Sequence, residues 1–154
     1  MKEIIKEKTC AVSGHRNIGN GIEEKKVEDT FEMLINNGYD TFLIGMAVGF
    51  DFLCFHVLEK IRKEKNIKII ACIPCEGQSL KFSESQKREY SRMIESADEK
   101  IILSEKYTPY CMQNRNRFMV DNCSVLVCFL RVFSGGTFNT YNYAKSKKKD
   151  IICI

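Results

Sequence analysis

The sequence predicts an α/β protein: one doubly wound domain with a mainly parallel six-stranded sheet flanked by about five helices. Three observations lead to this prediction. Short apolar runs alternate with segments whose apolar residues have helical spacing. The runs are almost continuously apolar, as strands buried on both faces are, and the links after them are longer than the links before them. Such alternation implies right-handed crossovers between parallel strands, which is a Rossmann-like arrangement.

The elements follow one another without a linker between them. Apolar and β-branched runs predict strands over 9–13, 41–45, 67–73, 100–104, 124–130 and 150–154. Helical spacing of apolar residues predicts helices over 23–37, 50–64, 84–97, 112–122 and 137–148. The chain has two prolines, nine glycines and no low-complexity tract, so we expect a single domain over 1–154.

Composition and charge exclude several classes of protein. The 154 residues are 44% hydrophobic and 29% charged, which excludes a disordered chain, a collagen and a coiled coil. The formal net charge of +4 is lower than the charge of a dedicated duplex-DNA-binding protein. No apolar export signal follows Met1, and the run from Val125 to Leu130 is too short to span a membrane. We therefore expect a soluble, cytoplasmic protein without membrane contacts.

The eight cysteines are expected to be reduced and to serve packing. Cys10, Cys72, Cys128 and Cys153 lie in strand-like apolar runs, where a free thiol behaves as a small hydrophobic group. The C-x-x-C pair formed by Cys72 and Cys75 has no second pair of ligands to complete a zinc site. We therefore predict no metal site.

Residues that could bind a ligand or take part in catalysis are concentrated in the links that follow the strands. In a parallel α/β sheet these links all meet at the carboxyl edge, where ligands bind. Ser13, Gly14, His15 and Arg16 follow the first strand. Glycine allows a close backbone approach to an anion, and Arg16 can add a charged contact. The alternative is a flexible surface turn with a solvated arginine.

The second link also opens a helix with glycines. Gly45, Met46, Ala47, Gly49 and Asp51 follow the second strand. Two glycines at a helix N-terminus can cradle a phosphate or ribose, although neither common nucleotide fingerprint is present. Asp51 can cap the helix, accept a ribose hydroxyl, or do both.

A third glycine-bearing link and a pair of arginines complete the candidate site. Ser134, Gly135, Gly136 and Thr137 follow the fifth strand and can bind an anion or form a structural turn. Arg115 and Arg117 lie near the start of the fourth helix, beside Asn116. Because consecutive helix positions differ by about 100°, at most one arginine faces the site, and we expect it to be Arg115.

Five short motifs resemble those of the SLOG superfamily, which includes the DprA/Smf and LOG proteins, and most closely its YpsA-like branch. They occur in the family's order along most of the chain: Ser13-Gly14-His15-Arg16, Gly45-Met46-Ala47-x-Gly49-x-Asp51, Ile73-Pro74, Arg115-Asn116-x-x-Met119-Val120-Asp121 and Gly135-Gly136-Thr137. The resemblance implies a Rossmann-like fold with a nucleotide-type ligand at the carboxyl edge of the sheet.

The branches of this superfamily differ in what they do with the site. LOG proteins hydrolyse cytokinin nucleoside monophosphates and resemble this chain in Met112-x-x-Arg115, but a catalytic glutamate follows their glycine turn. Here no acid follows Thr137, so no group there would stabilise a ribosyl cation or activate water. DprA-like proteins bind single-stranded DNA and resemble this chain in Arg115-Asn116-Arg117. The chain lacks an evident aromatic and basic strip for stacking bases.

The sequence therefore predicts a protein that binds a nucleotide or nucleotide derivative as a sensor or regulatory module, without a required cofactor. The predicted binding residues are Ser13, Gly14, His15, Arg16, Gly45, Met46, Ala47, Gly49, Asp51, Arg115, Asn116, Ser134, Gly135, Gly136 and Thr137. Hydrolysis of an N-glycosidic bond, with Asp51 or Asp121 as the carboxylate, and DprA-like binding of single-stranded DNA are the alternatives. The resemblance also implies a homodimer, and the missing glutamate disfavours an enzyme.

Overall fold

A computed structural model describes residues 3–154, in which strands and helices alternate. The strands are β1 (Thr9–Gly14), β2 (Thr41–Ile44), β3 (Lys68–Ile73), β4 (Glu99–Ile102), β5 (Val125–Phe129) and β6 (Asp150–Cys153). The α-helices are α1 (Glu24–Asn36), α2 (Phe50–Arg62), α3 (Glu84–Ser96), α4 (Cys111–Asp121) and α5 (Gly136–Ser146). Each predicted element is present, and a short 3₁₀ turn at Lys6–Lys8 was not predicted.

The six strands form one sheet in the order β4-β3-β2-β1-β5-β6, and every neighbouring pair is parallel. The chain first builds outward from β1 to β4 and then returns to the other side of β1 with β5. The direction of winding therefore changes between β1 and β5, and this switch point is where open α/β sheets bind ligands. The predicted doubly wound α/β fold is confirmed.

Helices cover both faces of the sheet. Val27, Phe31 and Leu34 lie four and three positions apart on α1, and all three are buried in the cluster that α1, α2 and α3 form on one face. On the other face α4 and α5 contribute Met119, Val120 and Ala144 to a second cluster. Because both faces are covered, all five residues of β5 are buried.

The cysteines are free, and seven of the eight are buried. Cys153 is the exception to the expected packing role, because it lies on the edge strand β6 and is exposed. Burial raises the pKa of the Cys72 and Cys128 thiols to about 12, which keeps both protonated at neutral pH. Within residues 3–154 no group of three or more potential metal-ligating side chains comes together.

None of the helices in the described part of the chain has both the length and the apolar character needed to cross a membrane.

Candidate functional site

A cleft of about 850 Å³ opens at the carboxyl edge of the sheet, beside the ends of β1 and β5. Its walls come from the link after β1, the starts of α2 and α4, and the link between β5 and α5. The volume lies within the range of about 300–1,000 Å³ that small-molecule sites occupy. Thirteen of the fifteen predicted site residues line this cleft; the other two are Met46 and Gly49.

Met46 and Gly49 shape the β2–α2 link from behind the cleft. Met46 is fully buried in the core and has a φ of +63°. Gly49 is the N-cap of α2 with a φ of +88°, and a Cβ there would overlap the backbone carbonyl of Arg16. Glycine is therefore needed at position 49 to let two links approach each other, rather than to leave room for a ligand.

Two of the backbone N–H groups at the β2–α2 link that were expected to hold a phosphate are already bonded within the protein. The Ala47 N–H donates to an Asp51 carboxylate oxygen at 3.1 Å, and the Phe50 N–H donates to the His15 carbonyl at 3.1 Å. A Cβ on Gly45 would lie 2.8 Å from Nη1 of Arg115. The first turn of α2 also carries the Asp51 carboxylate, which disfavours a second anion there.

Asp51 lies in the cleft with one oxygen bonded and one free. It does not cap α2; its Oδ2 accepts the Ala47 N–H from the preceding link, while Oδ1 is buried without a hydrogen-bond partner among the described residues. Burial raises the pKa of this carboxyl to about 6, against the lowering effects of Arg115, the Ala47 N–H and Arg16. A buried acceptor without a partner is costly, so Oδ1 would gain from a hydrogen-bond donor.

Arg115 is held rigidly in the wall of the cleft. Its side chain is only 5% exposed. It donates through Nη1 to the Gly45 carbonyl and through Nε to Oδ1 of Asn116 at 2.7 Å. Burial lowers the pKa of this guanidinium, and the nearby Asp51 carboxylate opposes that effect. Arg115 thus positions the β2–α2 link and balances the charge of Asp51.

A second layer of polar contacts fixes the same carbonyl. Gln78 Nε2 donates to the Gly45 carbonyl at 2.9 Å, and the Tyr90 hydroxyl donates to Gln78 Oε1 at 2.9 Å. The carbonyl therefore accepts from two side chains, which uses both of its lone pairs. The geometry around Arg115 and Asp51 is fixed before any ligand arrives.

The N-terminus of α5 lines the cleft without a side-chain cap. Gly135 is the N-cap with a φ of +87°, no side chain caps the helix, and the first turn carries no acid. Ser134, Gly135 and Gly136 are exposed to the cleft, and Thr137 is buried beside them. Unsatisfied N–H groups and the positive end of the helix dipole together favour an anion.

His15 ties the β1 link to the link after β5. Its Nε2 accepts from the Arg131 N–H at 2.8 Å and from the Val132 N–H at 3.2 Å. Nε2 therefore serves as the acceptor for two successive backbone N–H groups of the link after β5. Arg16, the next residue, is exposed and lines the cleft. The two walls of the cleft are connected through this histidine.

Several cleft residues were not among the predicted ones. Arg131 and Val132 line the cleft, and the Arg131 guanidinium lies 4.3 Å from the centre of the Phe129 ring. Their position directly after β5 is the signal that could have found them, because that link was expected at the carboxyl edge. Asn20 and Gly21, in the long link between β1 and α1, also line the cleft.

The fold also forms pairs between basic and aromatic side chains on α4 and α5 that the sequence did not reveal. Arg117 lies over the Tyr143 ring at 5.0 Å, and Lys147 lies 5.4 Å from the same ring. Lys145 lies 5.5 Å from the Tyr141 ring. The contact between Arg117 and Tyr143 arises because α4 and α5 pack side by side, which brings together residues distant in sequence.

The structure distinguishes between the two carboxylates considered for catalysis. Asp121 is exposed at the last turn of α4, where it accepts from the Tyr143 hydroxyl at 2.8 Å. Asp51 is the carboxylate among the residues that line the cleft. Any reaction in the cleft that needs a carboxylate therefore depends on Asp51.

Comparisons with known proteins agree with these features. The model of the YspA SLOG family matches residues 11–151. The uncharacterized SPbeta prophage-derived protein YoqJ of Bacillus subtilis (strain 168) is 31% identical over 139 residues, which cover 80% of each chain. A UPF0398 protein of Listeria monocytogenes serotype 4a (strain HCC23) is 23% identical over 127 residues, covering 75% of this chain and 70% of its own.

Solved structures of DNA processing protein A (DprA) share the fold. The Streptococcus pneumoniae structure has a TM-score of 0.71 at 20% identity and covers 96% of this chain, which spans 50% of that structure. The Helicobacter pylori protein, which binds single-stranded DNA, has a TM-score of 0.67 at 17% identity, covering 96% of this chain and 65% of its own. These identities show the fold alone. The family match confirms the SLOG resemblance and its YpsA-like branch: the chain belongs to the YspA SLOG family.

Proposed function

We propose that the chain binds a nucleotide or nucleotide-derived ligand in the cleft and acts as a sensor or regulatory module. The observation that carries this proposal is the pair of unused groups in one cleft. The α5 N-terminus offers N–H groups to an anion, and Asp51 Oδ1 offers an acceptor to a hydroxyl. A nucleoside phosphate carries both an anion and hydroxyl donors, so it matches both groups.

Each part of the ligand has a proposed position. The phosphate lies on the backbone of Gly135, Gly136 and Thr137, with Arg16 supplying charge from the opposite link. A ribose hydroxyl donates to Asp51 Oδ1. Arg115 donates to the Gly45 carbonyl and to Asn116, and in this proposal it holds Gly45 and Asp51 in place.

Calorimetric titration with nucleoside mono-, di- and triphosphates, NAD and ADP-ribose tests this proposal. Arg16→Ala should raise the dissociation constant about tenfold or more, the loss expected for a charge-assisted hydrogen bond of about 1.5–3 kcal/mol. Gly136→Val should weaken binding similarly, because a side chain there projects into open space beside the α5 N-terminus. Arg88→Ala, which removes an exposed arginine outside the cleft, is the matched control.

The proposal fails if no nucleotide binds, or if Arg16→Ala and Gly136→Val bind as tightly as Arg88→Ala. Arg115→Ala is a poor test of binding, because it also removes one of the two donors to the Gly45 carbonyl and leaves Asp51 buried without its main compensating charge.

A second candidate function is hydrolysis of a nucleotide's N-glycosidic bond. The observation in its favour is the Asp51 carboxyl, whose pKa of about 6 lies in the range suited to acid–base catalysis near neutral pH. Incubation with nucleoside monophosphates followed by chromatography would detect the released base. Release that Asp51→Asn abolishes would establish the activity, and intact nucleotide after prolonged incubation would exclude it for those substrates.

The partners and the cellular location of the protein can be tested as well. Binding of single-stranded DNA, as in the Helicobacter pylori neighbour, predicts an affinity that falls steeply with salt concentration. We further propose a cytoplasmic homodimer. The eight free cysteines support a reducing compartment, and analytical ultracentrifugation measures the oligomeric state.

A further inference from the structure

A second, smaller pocket of about 210 Å³ lies between α4 and α5, next to the main cleft. The two share Met112, Asn116 and Gly136 in their walls. A volume of this size is below the range of about 300–1,000 Å³ for sites that hold a complete small ligand. It therefore suits one part of a ligand whose remainder occupies the cleft.

The polar groups of this pocket match the edge of a nucleobase. Gln113, Asn116 and Asn139 line it with three carboxamides, each of which offers donors and an acceptor. Within residues 3–154 the side chains of Gln113 and Asn139 make no hydrogen bond, and Asn116 uses only its oxygen, on Arg115. Flat heterocycles with alternating donors and acceptors are what such a set recognises.

The remaining wall of the pocket supplies flat surfaces for a base. Arg117 and Tyr143 line it, with the guanidinium 5.0 Å from the ring centre. The Tyr143 hydroxyl is fixed by its bond to Asp121 at 2.8 Å. Aromatic rings and guanidinium planes are the side chains on which bases stack in proteins that bind unpaired nucleotides.

Charge and geometry indicate what joins the two compartments. Arg16, Arg115 and Arg131 line the cleft and Arg117 lines the smaller pocket, whereas Asp51 is the one carboxylate in the two linings. Gly136, at the N-terminus of α5, lies on the boundary between them. A phosphate at this boundary can link a nucleoside on each side.

We propose that the ligand contains two nucleosides joined through phosphate, and that the second base occupies the pocket between α4 and α5. This inference rests on the proposed nucleotide-binding function and adds the class of ligand. Pyrophosphate-joined and phosphodiester-joined pairs have the same chemistry at the boundary, so the experiment includes one of each.

Calorimetric titration with AMP, NAD, the dinucleotide pApA and a 12-nucleotide deoxyoligonucleotide tests the inference. NAD or pApA should bind about fivefold or more tightly than AMP, the lower end of the contribution from stacking one base. Tyr143→Ala and Asn139→Ala should remove this advantage and leave AMP binding unchanged. Tyr107→Ala, at a tyrosine that is 70% exposed outside both pockets, is the matched control. Asn139 is exposed, so its variant tests the pocket even if Tyr143→Ala unfolds.

The outcomes separate this inference from the proposed function. Equal affinities for AMP, NAD and pApA would overturn the second base site and leave nucleotide binding intact. No binding of any of them would overturn both. Much tighter binding of the 12-nucleotide strand than of pApA, with steep salt dependence, would replace the two-nucleoside ligand with single-stranded DNA.

Discussion

At the scale of single residues, the Asp51 carboxylate sits in the first turn of α2 with one oxygen bonded to the Ala47 N–H and the other without a partner. Its burial disfavours the charged form more than Arg115 and the N–H favour it, so the pKa rises to about 6 from the ordinary value of 3.8. Ionised Asp51 therefore destabilises the folded protein. Such a cost at a cleft residue is typical of groups retained for binding or catalysis.

The raised pKa predicts how stability depends on pH. Between the two pKa values the folded protein binds more protons than the unfolded chain, so this group's contribution is full below the unfolded pKa and is lost as pH rises through about 6. Relative to Asp51→Asn, the wild-type free energy of unfolding should be about 2 kcal/mol higher at about pH 4.5 than at about pH 7.5. Urea unfolding of both proteins at the two pH values measures it, and parallel profiles would contradict it.

The raised pKa of Asp51 also predicts that ligand binding depends on pH. A ligand hydroxyl donates to the carboxylate form, so affinity should fall as the pH drops below about 6. NAD is the suitable ligand, because its pyrophosphate has no group that titrates there, whereas a terminal phosphate titrates at about pH 6. Asp51→Asn should bind more weakly at neutral pH and show a flat profile. An unchanged slope in that variant would assign the titration to another group.

At the scale of elements, the links after β1 and β2 interlock through glycines. A Cβ on Gly14 would collide with the Phe50 ring, and a Cβ on Gly49 would collide with the Arg16 carbonyl, where the φ of +88° already disfavours other residues. Gly136 differs, because a Cβ there would meet no atom within 4 Å. Gly14 and Gly49 therefore allow the two links to pack closely. Gly136 instead leaves the N-terminus of α5 open to the cleft.

This difference predicts that replacing glycine by alanine destabilises the protein at the start of α2 and has little effect at the start of α5. Gly49→Ala should lower the free energy of unfolding by about 2 kcal/mol or more, because strain and a backbone clash add. Gly136→Ala should change it by less than about 0.5 kcal/mol. Thermal unfolding of the two variants side by side measures the contrast. Comparable losses in both would show that the α5 start is as tightly packed as the α2 start.

The sequence was sufficient to predict the strands and helices, but not the hydrogen bonds between the links. Apolar periodicity located all eleven strands and α-helices, because burial on one or both sides dictates that pattern. Helix geometry allowed only one of Arg115 and Arg117 to face the cleft, and Arg115, expected there because it lies nearer the helix start, lines the cleft. Apolar periodicity could not show that Ala47 and Phe50 N–H groups are already bonded, because those partners are set by how two links pack together. The sequence therefore could not distinguish the bonded N–H groups of the β2–α2 link from those at the start of α5.

At the scale of the whole molecule, the cleft lies where the sheet changes its direction of winding, and His15 spans it. The β1 link and the β5 link come from strands that are neighbours in the sheet but more than a hundred residues apart in sequence. The spacing of apolar residues along the sequence cannot indicate such a contact. It cannot indicate the pocket between α4 and α5 either. These long-range features are what the sequence alone left undetermined.

We predict that the hydrogen bonds accepted by His15 keep the link after β5 in a defined conformation. In His15→Ala the Arg131 and Val132 N–H groups lose their acceptor, so hydrogen exchange at both amides should accelerate and nucleotide affinity should fall. His56→Ala is the matched control, because that histidine is exposed and bonds Glu89 between α2 and α3. Equal exchange rates in the two variants would show that other contacts order the link.

Ligand binding should also raise the thermal stability of the whole protein. A ligand at about 100 times its dissociation constant adds about 2.7 kcal/mol to the free energy of unfolding, which raises Tm by about 5–11 °C for a chain of this size. Because the cleft joins links from both halves of the sheet, the unfolding transition should stay single and shift as a whole. Gly136→Val should keep the Tm of the free protein and lose the shift, whereas Arg88→Ala should keep both. A shift that persists in Gly136→Val would move the ligand away from the α5 N-terminus and require another anion site, such as the β2–α2 link, where the Ala47 and Phe50 N–H groups are already bonded.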